Sequence, residues 1–232
     1  MLEIENLGVS YGKTPILRDI DVTVETGEIV GIMGKNGVGK TTLVKAIIGL
    51  LEADSGTITF DGNDVTDESA DVRARNGIGY IPQGRDVFPE LTVEQNLKMG
   101  ESINEDSDVL HYETVYDYFP ILEERRDQKA GTMSGGQQQM LAIGRALIGD
   151  PKLLLLDEPS EGIQPSIVQD LTRDLTALSD ELGTTILFVE QNLHVVQNLS
   201  ERCYAIDKGT IVDELGPDRL ESRDAVAAYL AV

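Results

Sequence analysis

The chain has 232 residues, 41 of them acidic and 19 basic, a net charge of −22 and a single cysteine, Cys203. That length supports one domain, or a core carrying an insertion, with ample interior to bury. The acid excess argues against general nucleic-acid binding, which needs clustered Lys and Arg, and a lone cysteine excludes a disulfide or cysteine-based metal site within one chain. The acids are scattered, which reads as a solvated surface. No apolar run approaches the 18 residues needed to span a bilayer, and no leader pattern precedes the first strand. The chain is therefore expected to be cytosolic, with something else holding it at any membrane where it works.

Residues 2–9 and 20–24 predict strands, Ile20, Val22 and Val24 alternating with polar neighbours. A turn at 26–28 feeds an apolar strand at 29–33. Then comes Gly34-Lys35-Asn36-Gly37-Val38-Gly39-Lys40-Thr41-Thr42, and a helix follows with Leu43, Ile47 and Leu50 on one face, ending near Gly49. Strand, G-x-x-x-x-G-K-[ST] and helix together predict a phosphate cradle. Backbone N–H groups of residues 35–41 are expected to wrap the β- and γ-phosphates, helped by the positive end of the helix. Gly34, Gly37 and Gly39 let the backbone approach; Asn36 and Thr42 complete the set. Lys40 supplies a point charge, and Thr41 offers its hydroxyl to Mg²⁺.

Residues 56–61 predict another strand, Asp61-Gly62-Asn63 a turn, and 77–81 a strand that stops at Pro82. From 84 to 149 the pattern is helical without a good strand. Thr92 with Gln95 predicts a capping box, and 104–108 a polar loop. Ser134-Gly135-Gly136-Gln137 opens a helix carrying Leu141, Ile143 and Leu147, a second helix N-terminus suited to anions. One chain does not need two phosphate grips for one ATP, so the second grip is expected to close over ATP held by a different subunit.

Strands resume at 153–156, 185–189 and 204–207. The helix between the first two keeps Ile167, Leu171, Leu175, Leu178 and Leu182 on one face. Asp157 ends an all-apolar strand, where a carboxylate meets Mg²⁺ at the C-terminal edge of a sheet. Glu158 is expected to point the other way by strand alternation, leaving it to polarise the attacking water. Alternating strands and helices predict an α/β core around a largely parallel sheet, residues 1–83 and 150–232, interrupted by a helical insertion at 84–149. There is no internal repeat, so a second ATPase half has to come from another chain.

With these three motifs in order, the chain resembles the ATP-binding subunits of ABC transporters over nearly its whole length. The resemblance implies a P-loop NTPase (RecA-like) core with an antiparallel β subdomain and an inserted α-helical subdomain. It also implies ATP and Mg²⁺ as cofactors, and a head-to-tail dimer in which Ser134, Gly135, Gly136 and Gln137 act on the partner's ATP. Tyr11 matches the aromatic that stacks on adenine. Gln83 matches the glutamine that links the γ-phosphate and Mg²⁺ to the membrane partner.

Two positions depart from the family's common pattern. Gln191 stands where most members carry a γ-phosphate-sensing histidine; its amide can hydrogen-bond phosphate but carries no charge. Gln164 replaces an aspartate that contacts the opposite subunit, and His194 is expected to be an exposed helix residue. A second, non-identical ATPase subunit is therefore expected, with a homodimer as the alternative. Glu-Gln-Asn at 190–192, Gln-Gly-Arg at 83–85 and residues 138–147 are similar to the hydrophobic amino acid and amide uptake group, in particular its second ATPase subunit. That similarity implies two permease subunits, an extracellular solute-binding protein and a place at the cytoplasmic face of the cell membrane. Residues 36–39 and 161–166 look closer to urea systems, 131–134 to branched-chain amino acid systems, and the balance leans to urea or amides. The rival reading is a soluble ABC-type ATPase serving a cytosolic scaffold, as in iron–sulfur cluster assembly. A small-molecule kinase would leave residues 134–137 unexplained.

Overall fold

A computed structural model describes residues 1–103 and 111–230; the polar loop expected at 104–108 lies outside the described residues. The first half of the chain forms β1 (Leu2–Tyr11), β2 (Thr14–Val24), β3 (Ile29–Met33), α1 (Lys40–Ile47), β4 (Ser55–Phe60), β5 (Asn63–Asp64), α2 (Ala70–Arg75) and β6 (Ile78–Ile81). Helices α3 (Val93–Glu101), α4 (Tyr112–Tyr118), α5 (Pro120–Glu124) and α6 (Gly135–Ile148) follow. The chain then runs through β7 (Leu153–Asp157), α7 (Pro165–Leu182), β8 (Thr185–Glu190), α8 (Leu193–Leu199), β9 (Arg202–Asp207), β10 (Thr210–Leu215), α9 (Pro217–Leu220) and α10 (Arg223–Leu230).

The strands form two sheets. One is antiparallel, in the order β2-β1-β4-β5. The other has the order β10-β9-β3-β8-β7-β6, parallel throughout except for the edge strand β10. Its central strands β3, β7 and β8 are buried on both faces, which is why they read as nearly unbroken apolar runs. Leu154, Leu156, Ile186 and Phe188 pack towards α6, α7 and α8. Their neighbours Leu153, Leu155, Leu187 and Val189 pack with Leu43 and Val44 of α1 and with Ile4, Ile20 and Phe60 of the antiparallel sheet. Each such buried side chain contributes about 1.5–3 kcal/mol, so the parallel sheet is a stiff base for whatever its C-terminal edge carries.

β1 and β2 are longer than their sequence pattern predicts, meeting in a hairpin at Gly12. Asn6 (φ 51°) and Asp19 (φ 48°) interrupt the pleat, and the β1–β2 register shifts at three places, so strict alternation is lost. Pro15 is accommodated because β2 is an edge strand. On α7 the buried face is Val168, Leu171, Leu175 and Leu178. Leu182, expected on that face, is 39% exposed in the last turn before the left-handed cap Gly183. α3 opens at Thr92 with the expected capping box. No helix among the described residues is long and apolar enough to cross a membrane. Cys203 is fully buried and desolvation pushes its thiol up, so it is chemically quiet.

Candidate nucleotide site

β3 ends at Met33 and the chain wraps towards α1. At Gly39 the backbone has φ 116°, a conformation that favours glycine, and a Cβ there would also sit 2.7 Å from Leu17 Cδ2. α1 has no side-chain cap and no acid in its first turn. Its leading N–H groups are therefore available to an anion. Lys40, 4% exposed, donates to Gly34 O (2.9 Å) and Lys35 O (3.0 Å), and its Nζ lies 3.1 Å from Glu158 Oε1.

Thr41 Oγ1 donates to Asp157 Oδ1 at 3.0 Å, while Asp157 Oδ2 is buried and has no hydrogen-bond partner among the described residues. Burial is the main cause that raises the Asp157 carboxyl above its ordinary range, with Glu158 adding to it. An orphaned, desolvated carboxylate oxygen beside a threonine hydroxyl suits a hard divalent cation such as Mg²⁺. No cluster of three or more His, Cys, Asp or Glu is present among the described residues. Phosphate oxygens and water would therefore complete the shell, as Mg²⁺ prefers.

The folded protein holds the Asp157 proton more tightly than the unfolded chain does. Ionised Asp157 therefore costs stability above its folded pKa, and the cost fades as pH falls through it. Asp157→Asn is expected to raise the melting stability at neutral pH by about 1 kcal/mol without nucleotide, and to lose the extra stabilisation that Mg²⁺ adds to ATP. Thermal melts with and without Mg²⁺–ATP check it.

Asn36, Gly37, Gly39, Lys40, Thr41 and Thr42 share one pocket of about 350 Å³ with Gln83, from the end of β6, and Glu158. Ile16 also lines it, a contribution hidden with the start of β2. Glu158 is turned by its own backbone, φ 48°, and not by strand alternation, because β7 ends at Asp157. Its N–H is tied to Val189 O at 2.9 Å.

The other expected residues do not line this pocket. Tyr11 is 49% exposed at the end of β1, and Gln191 is exposed just past β8. Gln164 stands at the start of α7 without a side-chain capping bond, and His194 is exposed in α8 as expected. Ser134 caps α6 through a capping box with Gln137 that its spacing already carried. Gly136 is obligatory there, since a Cβ would lie 2.7 Å from Ile167 Cγ2 on α7. Two tethers were not anticipated. Arg85 donates to Glu161 O at 2.6 Å, and Glu190 is buried beneath the turn after Glu158.

An apolar groove of about 470 Å³ is lined by Leu50, Tyr80, Phe88, Met99, Ile103 and Arg145 among others, Tyr80 and Phe88 bracketing the loop that carries Gln83. Leu50 (54%), Phe88 (43%), Met99 (45%) and Ile103 (40%) expose more apolar surface than a lone protein needs to show. Arg145 lies 5.0 Å over the Phe88 ring, with a buried Nη1 that has no partner among the described residues. Within residues 88–99, Phe88 lines the groove, but Val93 and Leu97 are core residues; helical periodicity passes the outward role to Met99.

Residues 17–161 match the family of ABC transporters. The chain is 44% identical to the high-affinity branched-chain amino acid transport ATP-binding protein BraG of Pseudomonas aeruginosa, over 99% of each. It is 36% identical to the probable branched-chain amino acid transport ATP-binding protein LivF of Archaeoglobus fulgidus, over 91% of this chain and 90% of that one. It is 34% identical to the lipopolysaccharide export system ATP-binding protein LptB of Haemophilus influenzae, over 97% and 95%. Among solved structures, the ADP conformation of MJ1267, an ATP-binding cassette of an ABC transporter, superposes with a TM-score of 0.86 at 29% identity, covering 100% of this chain and 99% of that one. The chain belongs to the ABC transporter family, and it is an ATPase subunit of a transporter.

Proposed function

We propose that this subunit powers an importer of branched-chain amino acids or of urea and short amides. It would work at the cytoplasmic face of the membrane, with two permease subunits, an extracellular solute-binding protein and a second ATPase subunit. The names of BraG and LivF favour branched-chain amino acids over the urea leaning of residues 36–39 and 161–166. No residue of the nucleotide site selects the solute. The division into a core, 1–83 and 150–232, and a helical arm, 84–149, belongs to the same reading.

In this assignment residues 34–42 hold the phosphates, Lys40 neutralises them, and Tyr11 stacks on adenine. Thr41, Asp157 and Gln83 would hold Mg²⁺, which supplies charge neutralisation at the phosphates. Glu158 takes the proton of the attacking water. Ser134, Gly135, Gly136 and Gln137 close on the partner's ATP, and Gln191 reports the γ-phosphate by hydrogen bonding. The absence of 134–137 from their own chain's pocket supports a grip supplied across an interface. The missing cation at 191 supports a non-identical partner that supplies one.

The observation that carries the reading is the apolar groove lying at the foot of the loop that holds Gln83. An amphipathic cytoplasmic helix of a permease fits it by laying its apolar face on Phe88 and Met99. Phe88→Asp, at a partly exposed position, is expected to leave the fold intact yet weaken copurification with the permease by about 30-fold or more, the loss of one buried aromatic anchor. Capture of a soluble scaffold protein in place of a multi-span membrane protein overturns the transport reading.

A further inference from the structure

Glu190 ends β8 and is 1% exposed, yet no step above uses it. All its side-chain hydrogen bonds come from two flanking loops. Oε1 accepts from the Ser160 N–H (3.0 Å) and the Ser160 hydroxyl; Oε2 accepts from the N–H groups of Gln191 (2.8 Å) and Asn192 (2.9 Å). Its backbone carbonyl accepts from Gly34 N–H at 3.4 Å, at the mouth of the cradle. Asn192 closes the ring: its Nδ2 donates to Ser160 Oγ (3.3 Å), and its Oδ1 caps α8 by accepting from His194 N–H. Ser160 lies two residues past Glu158, and Gln191 is the next residue after Glu190. One buried residue thus touches three segments: its carbonyl meets the cradle, and its carboxylate joins the turn after the acid pair to the loop after β8.

We infer that Glu190 is a positioning residue for ATP hydrolysis, locking the turn that carries Glu158 to the loop that carries Gln191. The inference rests on the reading that gives those two residues their roles. Both oxygens are filled by four fixed donors, so neither loop moves relative to the other without breaking at least two hydrogen bonds in a buried setting. Glu158 needs such a hold, because its left-handed backbone is a costly conformation for a non-glycine residue. Small displacements of a reacting group are costly as well. A residue serving only the fold would alter melting and leave turnover per folded molecule unchanged.

Glu190→Gln keeps the shape but turns one acceptor into a donor, so one of the two loops loses its anchor. Ser160→Ala removes only the hydroxyl arm. In the ATPase complex purified with its membrane partner, Glu190→Gln is expected to lower kcat about 10- to 100-fold with KM for ATP within about twofold. The double variant should be no slower than Glu190→Gln alone, since both changes cut the same tie. Hydrogen exchange should rise together in peptides covering 158–163 and 190–193. Three results overturn the proposal: kcat within about twofold of wild type, multiplicative losses in the double variant, or faster exchange in only one of the loops. If Glu190→Gln does not fold, Ser160→Ala decides, and an unchanged kcat there is equally fatal. A wild-type complex that hydrolyses ATP without moving solute sinks the transport reading but leaves these comparisons intact. Wild-type turnover in Glu158→Gln removes the role on which the inference rests.

Discussion

Glu158→Gln is expected to bind ATP as the wild type does and to lose turnover by about 100-fold or more, the usual contribution of a positioned general base. The site explains why binding survives. Lys40 keeps its bonds to the carbonyls of Gly34 and Lys35 when the Glu158 charge is gone, and the first turn of α1 is untouched. The amide also keeps the shape of a side chain held within a nearly buried turn whose N–H is fixed to Val189 O. In the proposed mechanism, what disappears is the oxygen that accepts the proton. With hydrolysis stalled, the closed arrangement of two subunits accumulates, and gel filtration with Mg²⁺–ATP should show a persistent dimer. ATP titration and single-turnover hydrolysis check the two halves separately. Turnover at the wild-type rate removes Glu158 from the mechanism.

Much of this site was legible because its chemistry is concentrated in short runs. The cradle from Gly34 to Thr42 lies between an apolar strand and a helix, and Asp157 stands at the end of four leucines, so local pattern alone places both on one sheet edge. Strands buried on both faces were equally plain. What stayed hidden depends on long-range contact. The start of β2 is masked by Pro15 and the left-handed Asp19, so Ile16 could not be placed at the pocket. Glu190 looked like one of three loop residues, because the apolar run stops at Val189, whereas β8 continues through it and buries its carboxylate. Its partner Ser160 is 30 residues away in sequence, beyond any periodicity. The orientation of Glu158 was not legible either, a left-handed φ being invisible to a two-residue alternation.

Lys40→Ala should have a double cost that can be taken apart. Removing the ammonium deprives the phosphates of a charged donor, and ATP affinity is expected to fall about 10- to 100-fold. It also leaves Glu158, 7% exposed, without the cation 3.1 Å from its oxygen. Breaking a buried pair from one side costs about 3 kcal/mol, or roughly 10 °C in melting temperature for a chain of this size. Adding Glu158→Gln removes the unpaired charge. The double variant is therefore expected to recover most of the melting temperature while its ATP affinity stays low, because no neutral substitution restores the phosphate contact. Melts without nucleotide, run beside ATP titrations on the two single variants and the double, separate these effects. A double variant that melts no higher than Lys40→Ala would show that the lysine stabilises this turn through the carbonyls of Gly34 and Lys35, and that its pairing with Glu158 adds nothing to the resting fold.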